Sequence, residues 1–313
     1  MSPRKEVFFD SGGVRCAADL YWPDHAQGPV PCVVMGHGAS GTKRLALPAY
    51  AAKFTACGMA VLAFDYRGWG ASEGRPRQVI DTGAQREDYR AAIRYARAQP
   101  GIDPDRVALW GTSYSGGHVL DVAADDPRVA AVVSQVPFID ARQRGRLRRA
   151  LTPEKVVRLL RFTIAAIRDT GRARRGRPPL LVPVVADPWR LAVFTDAAAR
   201  AALLGSGGEA TGWRNAIAPR AMFTLPRYRA GTADRLTMPV LMCLAEHDTE
   251  GSSEFADRLA ARMADATVLR YPLGHFDVYL APHFGPISDA QARFLQQALR
   301  PSHLARSTGS SGD

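Results

Sequence analysis

Three side chains far apart in the chain could together make a nucleophile: Ser113 in Gly111-Thr-Ser-Tyr-Ser-Gly-Gly117, Asp248 in Glu246-His-Asp, and His275 in Gly274-His-Phe. A serine hydroxyl attacks poorly at neutral pH, so it needs a base within hydrogen-bonding reach to take its proton. An imidazole can be that base, and a carboxylate behind it fixes the tautomer and stabilises the imidazolium. Serine, acid and histidine follow one another in an order that carries this chemistry. The reaction it serves is acyl transfer through an acyl-serine. Glu246 and Asp277 are weaker candidates for the acid: the first falls within a strand, the second is too near His275 in sequence.

Positioning the serine falls to the residues on either side of it. Residues 107–110 (Val-Ala-Leu-Trp) are a short apolar run suited to a central strand, and Gly116-Gly117 let the following helix press against the sheet. Ser113 then sits on a sharp strand-to-helix bend, where residues two positions away must be small. Gly111 meets that demand on one side; on the other, Ser115 stands where the usual pattern has glycine. The bend aims the N–H of Tyr114 at the reacting oxygen. A second donor is expected from the N–H of Ala39, in the loop Gly36-His-Gly-Ala-Ser-Gly41 that follows an apolar strand at 31–35. His37 of that loop is expected to brace it or to face the substrate.

The remaining elements alternate. Residues 6–10 and 14–22 read as a hairpin, 47–57 as a helix, 59–64 as a strand, 83–99 as a helix capped by Asp81 or Thr82, and 129–136 as a strand. Short joints between strands and helices build a mostly parallel α/β sheet covered on both faces. The alternation stops over 139–235, which is expected to be a helical cap inserted after the sixth strand. Thr152-Pro153 opens a helix there, along which Val156, Leu160, Ile164 and Ile167 recur at helical spacing. Trp189, Phe194 and Trp213 of the cap, with Phe276, are expected to wall a substrate pocket. A strand at 239–246, a helix at 253–263, a strand at 266–271 and a helix at 288–299 complete the pattern. The expected division is a core of 1–138 and 236–300, a cap of 139–235, and a mobile Ser/Gly-rich tail of 301–313.

With 313 residues, 46% of them hydrophobic, the chain can bury a large core. No apolar run follows the basic residues at its start and none is long enough to span a membrane, so a cytoplasmic protein is expected. Four cysteines without ligand spacing imply no metal site and no disulfide framework. The glycine-rich loop Asp65-Tyr-Arg-Gly-Trp-Gly-Ala-Ser-Glu-Gly74 lacks the Lys-Ser/Thr of a phosphate cradle, and no cofactor is expected. Asp65 and Arg67 are expected to brace that loop. The net charge of +11 is concentrated: residues 142–177 hold thirteen basic residues against Glu154 and Asp169. This segment reads as a solvated face or as a docking site for an acyl carrier protein or the phosphates of coenzyme A. No nucleic-acid-binding module accompanies the charge. The oligomeric state stays open, a homodimer included.

The loops GHGAS and DYRGWGASEG, the elbow GTSYSGG, and the EHD and GHF segments together resemble an α/β-hydrolase across both core segments. Within that superfamily the chain is similar to the dienelactone-hydrolase-like and X-prolyl-dipeptidyl-peptidase-like groups. Its cap stretch GWRNAIAPRAMFTLPRYRAG also resembles fungal polyketide transferases and their bacterial relatives. The resemblance implies a serine hydrolase acting on a small-molecule ester, thioester or lactone, or an acyltransferase that passes a polyketide or fatty acyl group to an alcohol. A third reading is a non-catalytic binding protein on the same fold. The chain departs from its relatives in two ways. Peptidase-like members take an oxyanion hydrogen bond from a tyrosine, where this loop offers Ala39; dienelactone hydrolases use cysteine where this chain has Ser113.

Overall fold

A computed structural model describes residues 4–26, 28–143, 153–205 and 208–301. The expected tail, from residue 302 on, lies outside the described residues, as do Arg144, Arg146, Arg148 and Arg149 of the basic segment. Eight strands form one sheet: β1 (Arg4–Ser11), β2 (Val14–Tyr21), β3 (Val30–Gly36), β4 (Ala60–Phe64), β5 (Ile102–Thr112), β6 (Ala131–Gln135), β7 (Val240–Ala245) and β8 (Ala266–Tyr271). Their spatial order is β1-β2-β4-β3-β5-β6-β7-β8. The β1–β2 hairpin lies at one edge and pairs antiparallel with β4; every other pairing is parallel.

Strand residues alternate between two apolar layers. Val33, Met35, Ala108, Trp110 and Val133 pack on one face with Leu47, Tyr50 and Phe54 of α1 (Leu47–Ala56) and Leu295 of the closing helix, Phe284–Ala298. Val34, Leu109 and Val132 face the other layer, with Tyr89 and Ile93 of α2 (Thr82–Arg97) and Val119 and Val122 of α3 (Tyr114–Ala124). Because both faces are covered, the central strands read as unbroken apolar runs rather than as an alternation. Each fully buried Val, Leu or Phe contributes about 1.5–3 kcal/mol. The Asp81 carboxylate caps α2 by accepting from the N–H groups of Gly83 and Ala84, both at 3.0 Å. The closing helix starts a turn earlier than its apolar spacing indicates. Pro286 falls in its first turn, where a missing N–H costs nothing.

Register sets the strand ends along a common line. Gly36 of β3 lies opposite Gly111 of β5, Thr112 opposite Gln135 of β6, and Gln135 opposite Cys243 of β7. The segments that leave β3, β5, β7 and β8 therefore open at one edge of the sheet, the carboxyl edge, where α/β proteins build their sites.

The helical insertion follows β6, the sixth strand. It holds α4 (Pro153–Ala173), α5 (Ala197–Gly205) and short 3-10 turns, and two isolated bridges, Val182 to Ile217 and Val185 to Phe194, tie it together. The inner side of α4 buries Ala165, Ala166 and Asp169. Asp169 accepts from the N–H of Leu180 at 2.8 Å and pairs with the Arg220 guanidinium at 2.9 Å. The Val156, Leu160, Ile164 and Ile167 face, which the sequence shows at helical spacing, is on the opposite side and exposed.

Candidate active site

Ser113 follows β5 at φ 57° and ψ −117°, a conformation that a residue with a Cβ holds only when its surroundings enforce it. Its N–H donates to the Gln135 carbonyl at 2.9 Å, and its own carbonyl accepts from Phe138 at 2.9 Å and Gly117 at 3.2 Å. Close packing enforces the rest. A Cβ on Gly111 would fall 2.2 Å from the Ser115 carbonyl oxygen, and one on Gly117 would fall 2.5 Å from that of Phe138. Only glycine fits at either place.

His275 leaves β8 and Asp248 leaves β7, and both turn toward the elbow. Asp248 Oδ2 lies 2.8 Å from His275 Nδ1, and His275 Nε2 lies 3.1 Å from Ser113 Oγ. A carboxylate only accepts, so Nδ1 carries the proton and Nε2 is left to accept from the serine hydroxyl. Asp248 Oδ1 also accepts from the N–H groups of Glu250 at 2.7 Å and Gly251 at 2.9 Å. Burial opposes ionisation of Asp248, but the His275 imidazole and these two N–H groups outweigh it and hold the carboxyl below its ordinary pKa. The rival acid, Asp277, is occupied locally: it accepts from the Gly274 N–H at 2.8 Å.

The loop after β3 lies against the serine. A Cβ on Gly38 would come 3.4 Å from that of Ser113, and Ala39 borders the same cleft. Tyr114 supplies the first amide of α3, at the positive end of the helix, while its ring stacks on Phe138 at 5.0 Å. His37 is buried and donates from Nδ1 to the Gly38 carbonyl at 2.8 Å. Burial lowers its pKa to about 4, against the opposing pull of that carbonyl, so it is neutral at pH 7. The cleft holds about 610 Å³, counting its open mouth. Its walls are apolar, formed by Leu45, Leu47, Phe194, Leu203, Phe276 and Tyr279.

Of the four aromatic residues expected at the pocket, Phe194 and Phe276 line it, with their rings edge to face at 4.9 Å. Trp189 does not. It sits on a turn between the bridged residues Val185 and Phe194, closed by the Arg190 N–H on the Asp187 carbonyl, which puts the indole 75% into solvent. Trp213 is buried and donates its indole N–H to the Ser40 carbonyl at 2.6 Å, so this side chain braces the loop after β3 instead of walling the cleft.

Sequence reasoning missed a second brace. The Tyr66 hydroxyl donates to Ser115 Oγ at 2.6 Å, and Ser115 Oγ donates to the carbonyl of His37. The residue that departs from glycine in the elbow thus joins the elbow to the loop that carries Ala39. The departure itself was the available signal. Asp65 is likewise a brace: it accepts from the N–H groups of Lys43 at 2.7 Å and Ala71 at 2.9 Å. Arg67 holds Asp88 at 2.6 Å.

Among the described residues, no group of three or more His, Cys, Asp or Glu converges to hold a metal, and no helix is long and apolar enough to cross a membrane.

A strained serine at a strand-to-helix turn, on a mostly parallel eight-stranded sheet with a helical insertion after the sixth strand, defines an α/β-hydrolase. The chain belongs to the X-Pro dipeptidyl-peptidase (S15) family, whose model matches residues 12–255. It is 38% identical to the quorum-quenching protein AidA of Acinetobacter baumannii over 295 residues, 94% of this chain and 95% of that one. It is 35% identical to thiohydrolase aneE of Aspergillus aculeatus over 178 residues, 57% of this chain and 54% of that protein. The crystal structure of the Penicillium α/β hydrolase GrgF, a polyketide transferase, superposes with a TM-score of 0.73 at 24% identity, covering 95% of this chain and 99% of that one.

Proposed function

We propose that the protein is a serine hydrolase that cleaves a neutral ester, thioester or lactone through an acyl-Ser113 intermediate. The observation that carries this reading is the unbroken run of hydrogen bonds from Asp248 through His275 to Ser113. His275 Nε2 takes the hydroxyl proton as Oγ attacks the acyl carbon, and the N–H groups of Ala39 and Tyr114 receive the oxyanion. The same imidazolium then protonates the leaving group, and a water molecule activated by His275 releases the acid. Asp248 holds the ring in the required tautomer throughout.

The cleft walls argue for the substrate class. Among the described residues that line the cleft there is no carboxylate to meet the free ammonium of a peptide N-terminus. Desolvating that ammonium unpaired would be costly, so a neutral aliphatic acyl group fits better than an X-Pro dipeptide, despite the family's name. The likeness to a thiohydrolase supports thioester substrates. A fluorophosphonate probe is expected to label the wild type and not Ser113→Ala, and a panel of p-nitrophenyl esters, lactones, acyl thioesters and an X-Pro anilide is expected to leave only the last unused. Labelling that survives Ser113→Ala would refute the assignment; an unlabelled wild type would favour the non-catalytic binding reading.

A second reading keeps the acyl-enzyme and replaces water with an alcohol. It is supported by the likeness to a polyketide transferase. Mass analysis of products formed from an acyl thioester with and without added alcohol separates the two: free acid supports hydrolysis, a new ester supports transfer.

A further inference from the structure

We infer that the outer face of α4, together with Phe223 of the 3-10 turn Pro219–Phe223, is a docking platform for an anionic lipid bilayer. An exposed leucine by itself means nothing, but a contiguous apolar surface on a folded protein needs a reason. Leu160, Ile164 and Ile167 share one helical face and are 58%, 56% and 58% exposed. Phe223, 53% exposed, borders the same cleft as Ile167 and so widens the stripe beyond the helix.

The charge beside this stripe selects the partner. Arg161 and Arg168 are exposed along one flank of it, and Arg174 and Arg175 continue the row past the end of the helix. Asp169 is turned inward and paired with Arg220, so it does not offset them. Apolar residues bounded by arginine, on a helix lying along the protein surface, suit the headgroup boundary of an anionic membrane. A second copy of the chain fits less well, since two such faces would bring Arg161 and Arg168 of one copy against those of the other. An acidic carrier protein would satisfy the charge but would leave the exposed Leu160, Ile164 and Ile167 side chains without an apolar phase to enter.

The platform is coupled to the cleft. Arg158, on α4, donates to the Thr195 hydroxyl, and Thr195 follows Phe194 of the cleft wall. The inference itself stands on the surface alone and does not depend on the hydrolase reading.

Co-sedimentation of the full chain with vesicles tests it. The protein is expected to sediment with vesicles of equal parts phosphatidylglycerol and phosphatidylcholine, not with phosphatidylcholine alone, and to be released by salt. Leu160→Glu with Ile164→Glu is expected to weaken binding on the order of tenfold or more. Arg161→Gln with Arg168→Gln is expected to weaken it on the order of thirtyfold. Both pairs should keep the wild-type thermal unfolding midpoint, because the altered side chains are exposed. Failure of the wild type to bind anionic vesicles overturns the inference, as does binding that both double variants retain. It is also overturned if light scattering finds a dimer that Ile164→Glu splits, or if an acidic acyl carrier protein binds this face while the vesicles stay unbound.

Discussion

Around the elbow, Asp248 and Ser115 are buried and matched within the protein: Asp248 takes hydrogen bonds from His275, Glu250 and Gly251, and Ser115 connects Tyr66 to the His37 carbonyl. Along the outer face of α4 the arrangement is reversed, with Leu160, Ile164 and Ile167 exposed and Arg161 and Arg168 in solvent beside them. The elbow is specified from inside, by a strained backbone held between close carbonyls, so changes there should act on bond-making. The α4 face contributes little to the interior, so changes there should act on what the protein meets.

The largest effect that would sharpen this contrast is expected at the acid. Asp248→Asn leaves the packing in place but permits the wrong imidazole tautomer, and kcat for a p-nitrophenyl ester should fall by about 10⁴. A loss of less than about tenfold would mean that the carboxylate has little part in the chemistry.

Ser115→Ala removes a hydroxyl that touches no substrate and works through the His37 loop. The expected outcome is a drop in kcat of about tenfold to a hundredfold with KM little changed, and a parallel loss of affinity for a boronic acid that mimics the oxyanion. An equal loss of affinity for a ground-state product analogue would reduce Ser115 to a packing role.

A third test concerns buried histidines. Burial first, then the neighbouring charge of Arg86 and His37, lowers the His118 pKa to about 3, and His37 is lowered to about 4. Below pH 6.5 the unfolded chain takes up protons that these folded rings refuse, so their stabilisation is present above that pH and is lost as pH falls toward 4. Asp65, raised by burial to about 6, opposes this loss below pH 6 because the folded state then binds its proton first. Urea unfolding at pH 6.5 and 5 should therefore show a loss for the wild type that is steeper than for His118→Gln by about 1 kcal/mol per pH unit. Identical slopes would mean that His118 takes up its proton over this range as readily in the folded state as in the unfolded one.

The smallest effect is expected at Trp189. Trp189→Ala should leave kcat/KM within about twofold, because an indole 75% exposed on a turn touches little. Phe194→Ala, by contrast, should raise KM for longer acyl chains. If Trp189→Ala had the larger effect, the cleft would extend further into the insertion than its described walls.

Much of this was legible along the chain. Gly111, Ser113 and Gly117 reveal a strained elbow because the demand for small neighbours acts within four residues, and apolar runs such as 107–110 reveal buried strands for the same local reason. Trp213 shows the limit. Its aromatic character was plain, but whether it walls a cleft or holds a loop depends on Ser40, 173 positions away.

By itself the amino-acid order determined the alternation of strands and helices, the bend at Ser113, and the succession of serine, acid and base, since each rests on spacing between near neighbours or on chain order. Only the tertiary structure decided that Ser115 ties two loops together, that Trp189 faces water, and that the apolar stripe of α4 points outward. Those outcomes depend on which distant surfaces meet, and hydrophobic period fixes a helix face without fixing the direction in which that face is turned.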